Sequence, residues 1–228
     1  MEFIYTEPLS AGAAMEFSLD LLNSLKDKPR CIFQIYNWKN RCATYGYFTN
    51  PEKYLNLNGL KKQNIEIARR PTGGGILFHL SDLAFAFYLP ANHPRYSINT
   101  LENYAAVNGA VLSALEEWAG INQGHLLVKE CSPYDQASQH FCMAKPTRYD
   151  VCIGGLKVAG GAQRRIGSGL LHQGSITLKK MDPVMLKEIL LPDTCVVESM
   201  EKNSYPDLQV SPQTLAKALE ESFTREFL

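Results

Sequence analysis

Two adjacent glycines, Gly154 and Gly155, separate "RYDVCI" from "LKVAGGAQRR", and no other feature limits the fold of this 228-residue chain so tightly. A Gly-Gly link between two apolar runs specifies a β-hairpin, because its tight turn needs backbone with positive φ. That commits this stretch to antiparallel pairing. "GLLHQGSITL" reads as a further strand. Earlier in the chain, "RCIFQIYNW" reads as a strand with Cys31, Phe33 and Ile35 on one face and Ile32, Gln34 and Tyr36 on the other. "ATYGYF" reads as a second short strand, "IEIARR" runs into a glycine cluster, and "GILFHLSDLAFAFYLP" reads as strand, turn and strand closing at Pro90.

Helical spacing fills the rest. Ala14, Phe17, Leu21 and Leu25 predict a helix that stops near "KDKPR", where Pro29 cannot continue it. A helix is expected around "NPEKYLNLNGLKKQ". The strongest spans 100–119, where Leu101, Tyr104, Asn108, Val111, Leu115 and Trp118 repeat at three and four, with Thr100 as N-cap and Gly120 as stop. Asp182-Pro183 and Ser211-Pro212 each place an N-cap before proline and open two final helices. Helices and hairpins in segregated runs predict an α+β fold, a mixed and largely antiparallel sheet packed with helices. With no long linker, residues 1–228 are expected to form a single domain.

Composition excludes several function classes. The chain is 45% hydrophobic and 20% charged with zero formal charge, which removes the strongly basic footprint of a nucleic-acid binder. The N-terminal residues do not read as a signal peptide, and no apolar run reaches the ~20 residues of a membrane span, so a cytoplasmic protein is expected. Six scattered cysteines without a CxxC pair suggest neither a zinc site nor a disulfide framework.

"RRPTGGGILFH", residues 69–79, sets Gly73, Gly74 and Gly75 behind Arg69 and Arg70. Bare backbone lets a ligand lie close, with N–H groups turned to anionic oxygens. It is neither a Walker loop, since no Gly-Lys-Ser/Thr follows, nor a Rossmann fingerprint, since a strand follows. Alone it reads equally well as a tight turn with two surface arginines. "GGLKVAGGAQRR" places Lys157 three residues before Gly160-Gly161, suited to oxygens that develop charge in acyl or phosphoryl transfer. Alone it reads as a solvated strand-end charge.

Together, "RRPTGGGILFH", "IGGLKVAGGAQRR" and "GLLHQGSI" resemble the lipoate-protein ligase and octanoyltransferase family, which shares its catalytic fold with biotin protein ligases. "FQIYNW" and "YGYF" resemble its first strands, so the likeness extends over nearly the whole chain. The resemblance implies that Arg69, Arg70, Thr72 and Gly73–Gly75 cover the acyl chain and its activated carboxyl. It implies that Lys157 touches the carbonyl and phosphate oxygens and that Gly160, Gly161, Ala162 and Gln163 line the pocket. Phe78 and His79 would sit at the rim, where an acceptor lysine arrives, and His172 would be structural or pocket-lining.

Two routes follow from the likeness, both ending in an amide on a lysine of a lipoyl carrier domain, from a 2-oxoacid dehydrogenase complex or the glycine cleavage H protein. In the leading one, ATP and Mg2+ convert lipoate or octanoate to an acyl-adenylate; Gly75 resembles ligases, because related octanoyltransferases often carry a larger residue there. In the other, "CMAKPTRYD" resembles a Cys-x-x-x-Pro-x-x-Tyr segment of one octanoyltransferase branch, and Cys142 takes the acyl group as a thioester from acyl carrier protein. Neither route needs a resident cofactor or metal. Cys142 is equally readable as a buried small hydrophobe. The chain departs from the family at Leu80, where Asp is frequent, at Gly161, where ligases have Ser, and at Gln173, where they have a second His. No separate C-terminal accessory domain is expected at this length. A relative that binds lipoate or acyl-adenylate without turning it over is the reading of another class.

Overall fold

A computed structural model describes residues 1–119 and 123–228. The chain runs β1 (Glu2–Tyr5), α1 (Ala11–Ser24), β2 (Ile32–Ile35), β3 (Cys42–Tyr45), α2 (Leu57–Lys62), β4 (Glu66–Arg69), β5 (Ile76–His79), β6 (Asp82–Pro90) and α3 (Thr100–Ala119). It continues through β7 (Gly124–Leu126), β8 (Val151–Ile153), β9 (Leu156–Ile166), β10 (Gly169–Thr177), α4 (Pro183–Ile189), α5 (Val196–Asn203) and α6 (Pro212–Phe227). The fold is α+β with mixed sheets, as the alternation of patterns predicts.

The strands form two sheets rather than one. The larger has the order β1-β2-β6-β10-β9-β8-β7, antiparallel except for the parallel β1–β2 edge, and the smaller has the order β4-β3-β5. The strand-turn-strand stretch at 76–90 is therefore not a hairpin: β5 pairs with β3, and Leu80-Ser81 carry the chain into the other sheet. Such a switch is invisible to periodicity, which reports faces and not partners.

β6 explains the packing. Leu83, Phe85, Phe87 and Leu89 belong to a core with Val107, Val111, Leu115, Leu215, Leu219 and Phe223 of α3 and α6. The alternate residues Ala84, Ala86 and Tyr88 pack with Ala14, Met15 and Leu22 of α1. Both faces are covered, so β6 is apolar throughout. A third cluster, including Ile76, Phe78, Phe141, Leu186, Ile189 and Val197, fills the space between the small sheet and α4 and α5.

Local signals mostly held, with three corrections. Gly154 and Gly155 adopt φ of 56° and 82° and close the β8–β9 hairpin. The expected helix over 50–63 is a 3-10 turn at Pro51–Lys53 followed by α2, because Asn50 and Asn56 each cap a separate start. The side chain capping α3 is Asn99, not Thr100; it accepts from the Leu101 N–H at 3.0 Å. Gly120, the expected stop, lies outside the described residues. Three helices, not two, close the chain, since α5 begins at Val196 behind Cys195, whose side chain makes no capping bond to announce it. No described helix is long and apolar enough to cross a membrane.

Candidate active site

A cavity of about 270 Å³ opens where the small sheet faces the large one. Gly74, Gly75 and Cys142 line one side, Lys157 and Gly160–Ala162 another, and Thr44, His79 and Ser175 a third. Residues distant in sequence converge because β5 and β9 belong to different sheets.

Cys142 is placed by packing on β5. Its N–H donates to the Ile76 carbonyl at 3.0 Å, and the preceding Phe141 ring stacks on Phe78 with centroids 6.1 Å apart. Gly75 makes this approach possible: a Cβ there would overlap the His140 carbonyl. Gly74, at φ 84°, turns the loop so that a side chain on it would start 3.9 Å from Cys142 Sγ and 3.3 Å from Arg70 Nη2. The thiol therefore faces the glycine loop. His140 stacks on Tyr54 at 4.5 Å and takes no part in the cavity wall; burial and then Lys53 push its pKa down.

Lys157 lies across from the loop, 4% exposed. Its Nζ donates to the Cys142 carbonyl at 2.8 Å and pairs with Asp150 Oδ2 at 2.7 Å. An ammonium has three donors, so one is left for a substrate oxygen. Asp150 also accepts from the Thr147 N–H at 2.6 Å and from Thr147 Oγ1 at 3.0 Å. Tyr149 beside it holds a left-handed φ of 68°, with its carbonyl bound by Asn108 and its N–H by Leu127. A bulky residue in that region is strained backbone fixed by its surroundings.

The second glycine pair is not a loop. Gly160 and Gly161 lie within β9, and what they provide is room. A Cβ on Gly160 would overlap Asp150 and crowd the end of Lys157, and one on Gly161 would overlap His172. The ion pair and the imidazole thus occupy the spaces that side chains would take.

Arg70 has a different task from that expected of a ligand-binding arginine. It is 5% exposed, and its guanidinium donates to Thr44 O at 3.0 Å, Thr44 Oγ1 at 2.8 Å, Gly73 O at 3.1 Å and Gly75 O at 2.8 Å. Thr49 Oγ1 donates to Gly74 O at 3.0 Å. All three loop carbonyls are held from outside, while the N–H groups of Gly73–Gly75 take no backbone partner among the described residues. A loop so arranged offers donors to anionic oxygen. Arg69 lies outside the cavity, exposed, with its guanidinium 4.7 Å from the Tyr47 ring centroid.

Sequence reasoning passed over a buried relay at the third wall. Arg70 is a donor only, so Thr44 Oγ1 accepts from it and turns its own proton to His79 Nε2 at 2.8 Å. His79 Nδ1 then donates to Asp82 Oδ2 at 2.8 Å, which also accepts from Ser175 Oγ at 2.6 Å. The carboxylate expected one residue after the histidine is supplied three residues later. Trp38 packs over the imidazole at 4.6 Å. His79 is 7% and Phe78 4% exposed, so neither is a rim residue; Phe78 faces the third core cluster, not the cavity.

Thr72 and Gln173 form another buried chain: Thr72 Oγ1 donates to Gln173 Oε1 at 2.7 Å, and Gln173 Nε2 donates to Tyr36 Oη at 2.7 Å. Gln173 and Tyr36 reach the cavity wall and Thr72 does not. His172, on β10, is fully buried, stacked on Phe85 at 6.0 Å and met edge-on by Tyr104 at 5.6 Å, with Gln163 at 3.0 Å from Nδ1. Neither lines the cavity. Burial pushes the His172 pKa down to about 3 and that of Tyr104, which does line it, up to about 12.

Residues 10–224 match the model of the lipoyl protein ligase A/B catalytic domain. The chain belongs to that family. Among curated relatives of the lipoyl ligase family, the octanoyltransferase LipM of Bacillus subtilis is 28% identical over 177 residues, covering 75% of this chain and 63% of the relative. That of Carboxydothermus hydrogenoformans is 30% identical over 159 residues, covering 70% and 57%. The chain thus spans about three fifths of the length of these relatives. Solved structures agree in fold: a bi-partite lipoate protein ligase from Thermoplasma acidophilum has TM-score 0.73 at 20% identity, covering 99% of this chain and 82% of that one. A lipoate-protein ligase A bound with ATP has TM-score 0.71 at 22% identity, covering 99% and 85%.

Proposed function

We propose that this protein is an acyltransferase of protein lipoylation, taking an octanoyl or lipoyl group onto Cys142 as a thioester from acyl carrier protein and passing it to a lysine of a lipoyl carrier domain. The observation that carries this is the Cys142 thiol in the cavity wall, facing Gly74, with Lys157 bound to the carbonyl of the same residue. Relatives named octanoyltransferase support it.

In the first step Cys142 Sγ, as thiolate, attacks the donor's thioester carbonyl. The bond to the carrier's sulfur breaks, and the carrier leaves as a thiol with the proton Cys142 gave up. Lys157 and the loop N–H groups meet the oxyanion between these events. In the second step the neutral acceptor amine attacks, the bond to Cys142 breaks, and the amine's proton returns to the departing thiolate. A thiol nucleophile suits the reducing cytoplasm, and all six cysteines are unpaired.

The adenylate route has less support than its sequence signal suggested. Gly75, the ligase-like residue, is explained by the His140 carbonyl lying where its side chain would go. The two carboxylates at the site, Asp82 and Asp150, are engaged by His79 and Lys157, so neither is a free ligand for Mg2+. The cavity, about 270 Å³, falls just below the ~300–1,000 Å³ of ligand pockets, which suits an acyl chain better than an acyl chain with a nucleotide.

The test is to offer a lipoyl domain either octanoyl-acyl carrier protein without ATP or free octanoate with ATP and Mg2+. Modification in the first arm alone is expected. Modification only in the second would establish the ligase, and none in either would favour a binder.

A further inference from the structure

The turn that holds the glycine loop carries the most exposed large hydrophobic side chain of the described residues, Phe48, 92% exposed. It packs edge-on against Tyr47 at 5.1 Å, itself 44% exposed. Arg69 and Arg164 flank the Tyr47 ring at 4.7 and 5.7 Å. Neither arginine pairs with a carboxylate among the described residues, whereas Arg30, Arg95 and Arg225 pair with Glu2, Glu226 and Glu117. The chain has equal numbers of acidic and basic residues, so this is a local excess of positive charge.

The patch is joined to the cavity wall. Tyr47 N–H donates to Thr72 O at 2.9 Å, Thr49 Oγ1 to Gly74 O at 3.0 Å and Arg164 Nη1 to Pro71 O at 3.2 Å. Exposed Gly74 is thus the link between this surface and the thiol. Exposed aromatics backed by unpaired arginines have the composition of an interface centre, and the charge selects a partner of opposite sign.

We infer that the Tyr47-Phe48 turn with Arg69 and Arg164 is the docking surface for an acidic acyl-bearing carrier protein, the donor in the first step. The inference rests on the transfer reading above. A carrier seated here holds its thioester arm beside Gly74, across from Cys142, and its carboxylates complete the two arginines.

The two half-reactions are measured separately in single turnover. Octanoyl-acyl carrier protein acylates the enzyme in one, and enzyme pre-loaded with a small octanoyl thioester transfers to a lipoyl domain in the other. Phe48→Ala and Arg69→Glu are each expected to raise the carrier concentration for half-maximal acylation by about tenfold. Phe48→Ala should react with the small thioester, and transfer to the lipoyl domain, at wild-type rates. The wild-type requirement for carrier should rise with salt. Unchanged carrier acylation in both variants would overturn the inference, as would a loss confined to the transfer step, which would mark an acceptor site. If no donor acylates the thiol, the transfer reading fails, and docking is read instead from binding of acyl carrier protein to Cys142→Ala protein. Equal binding with and without Phe48→Ala overturns it there.

Discussion

Lys157 and Asp150 form an ion pair with Nζ 2.7 Å from Oδ2, and their side chains are 5% and 3% exposed. Removing one partner leaves a charge buried alone, at a cost of about 3–5 kcal/mol, whereas apolar replacement of both is close to neutral. Asp150→Ala should therefore lower stability to urea by that order, and Lys157→Met with Asp150→Ala should recover most of it while transferring no acyl group. A double variant as unstable as Asp150→Ala would show that the pair is not the unit.

The three glycines of the loop should differ sharply in tolerance. A Cβ on Gly73 meets nothing within 4 Å, while one on Gly75 overlaps the His140 carbonyl. Gly75→Ala is expected to cost about 1–3 kcal/mol by overpacking and to slow thiol acylation by displacing the Cys142 segment. Gly73→Ala, built at the same loop, should leave both nearly unchanged. Equal effects in thermal unfolding and acylation assays would contradict the packing account.

His172 predicts part of the acid sensitivity. Its folded pKa is pushed down to about 3 from an ordinary 6.5 by burial. Below the higher value the unfolded chain takes up a proton that the folded protein refuses. Stability from this group is therefore flat above it and falls as pH drops towards the folded value, by up to about 1.4 kcal/mol per unit. Between pH 7.5 and 5 the loss is about 2 kcal/mol, and His172→Gln should lack this portion. Superimposable pH profiles for the two proteins would place the sensitivity elsewhere.

Much of this was legible in the chain, for reasons that differ by residue. Gly154-Gly155, Asp182-Pro183 and Ser211-Pro212 act through local backbone preference, and each produced the element expected. Pairing across sheets is non-local, so the separation of β5 from β6 left no mark on the alternation that defines them. Tertiary contact hid Asp150 and Thr44 as well: Asp150 meets Lys157 only because the β8–β9 hairpin folds back, and Thr44 meets Arg70 and His79 across the small sheet. Glycine was informative but ambiguous. Gly75, Gly160 and Gly161 mark places where other groups come close, and only coordinates distinguish that from bare backbone awaiting a ligand. Asp82 had a weak signal, a carboxylate three residues after His79 at the start of β6, which is within reach of its imidazole.

The central claim is that Cys142 carries the acyl group. Intact mass and peptide mapping of the protein after brief exposure to octanoyl-acyl carrier protein, without ATP, test it most directly. The account predicts one octanoyl group on Cys142, discharged when a lipoyl domain is added and absent in Cys142→Ala. A lipoyl domain modified at full rate by Cys142→Ala protein, with no acyl group ever on the thiol, would contradict it.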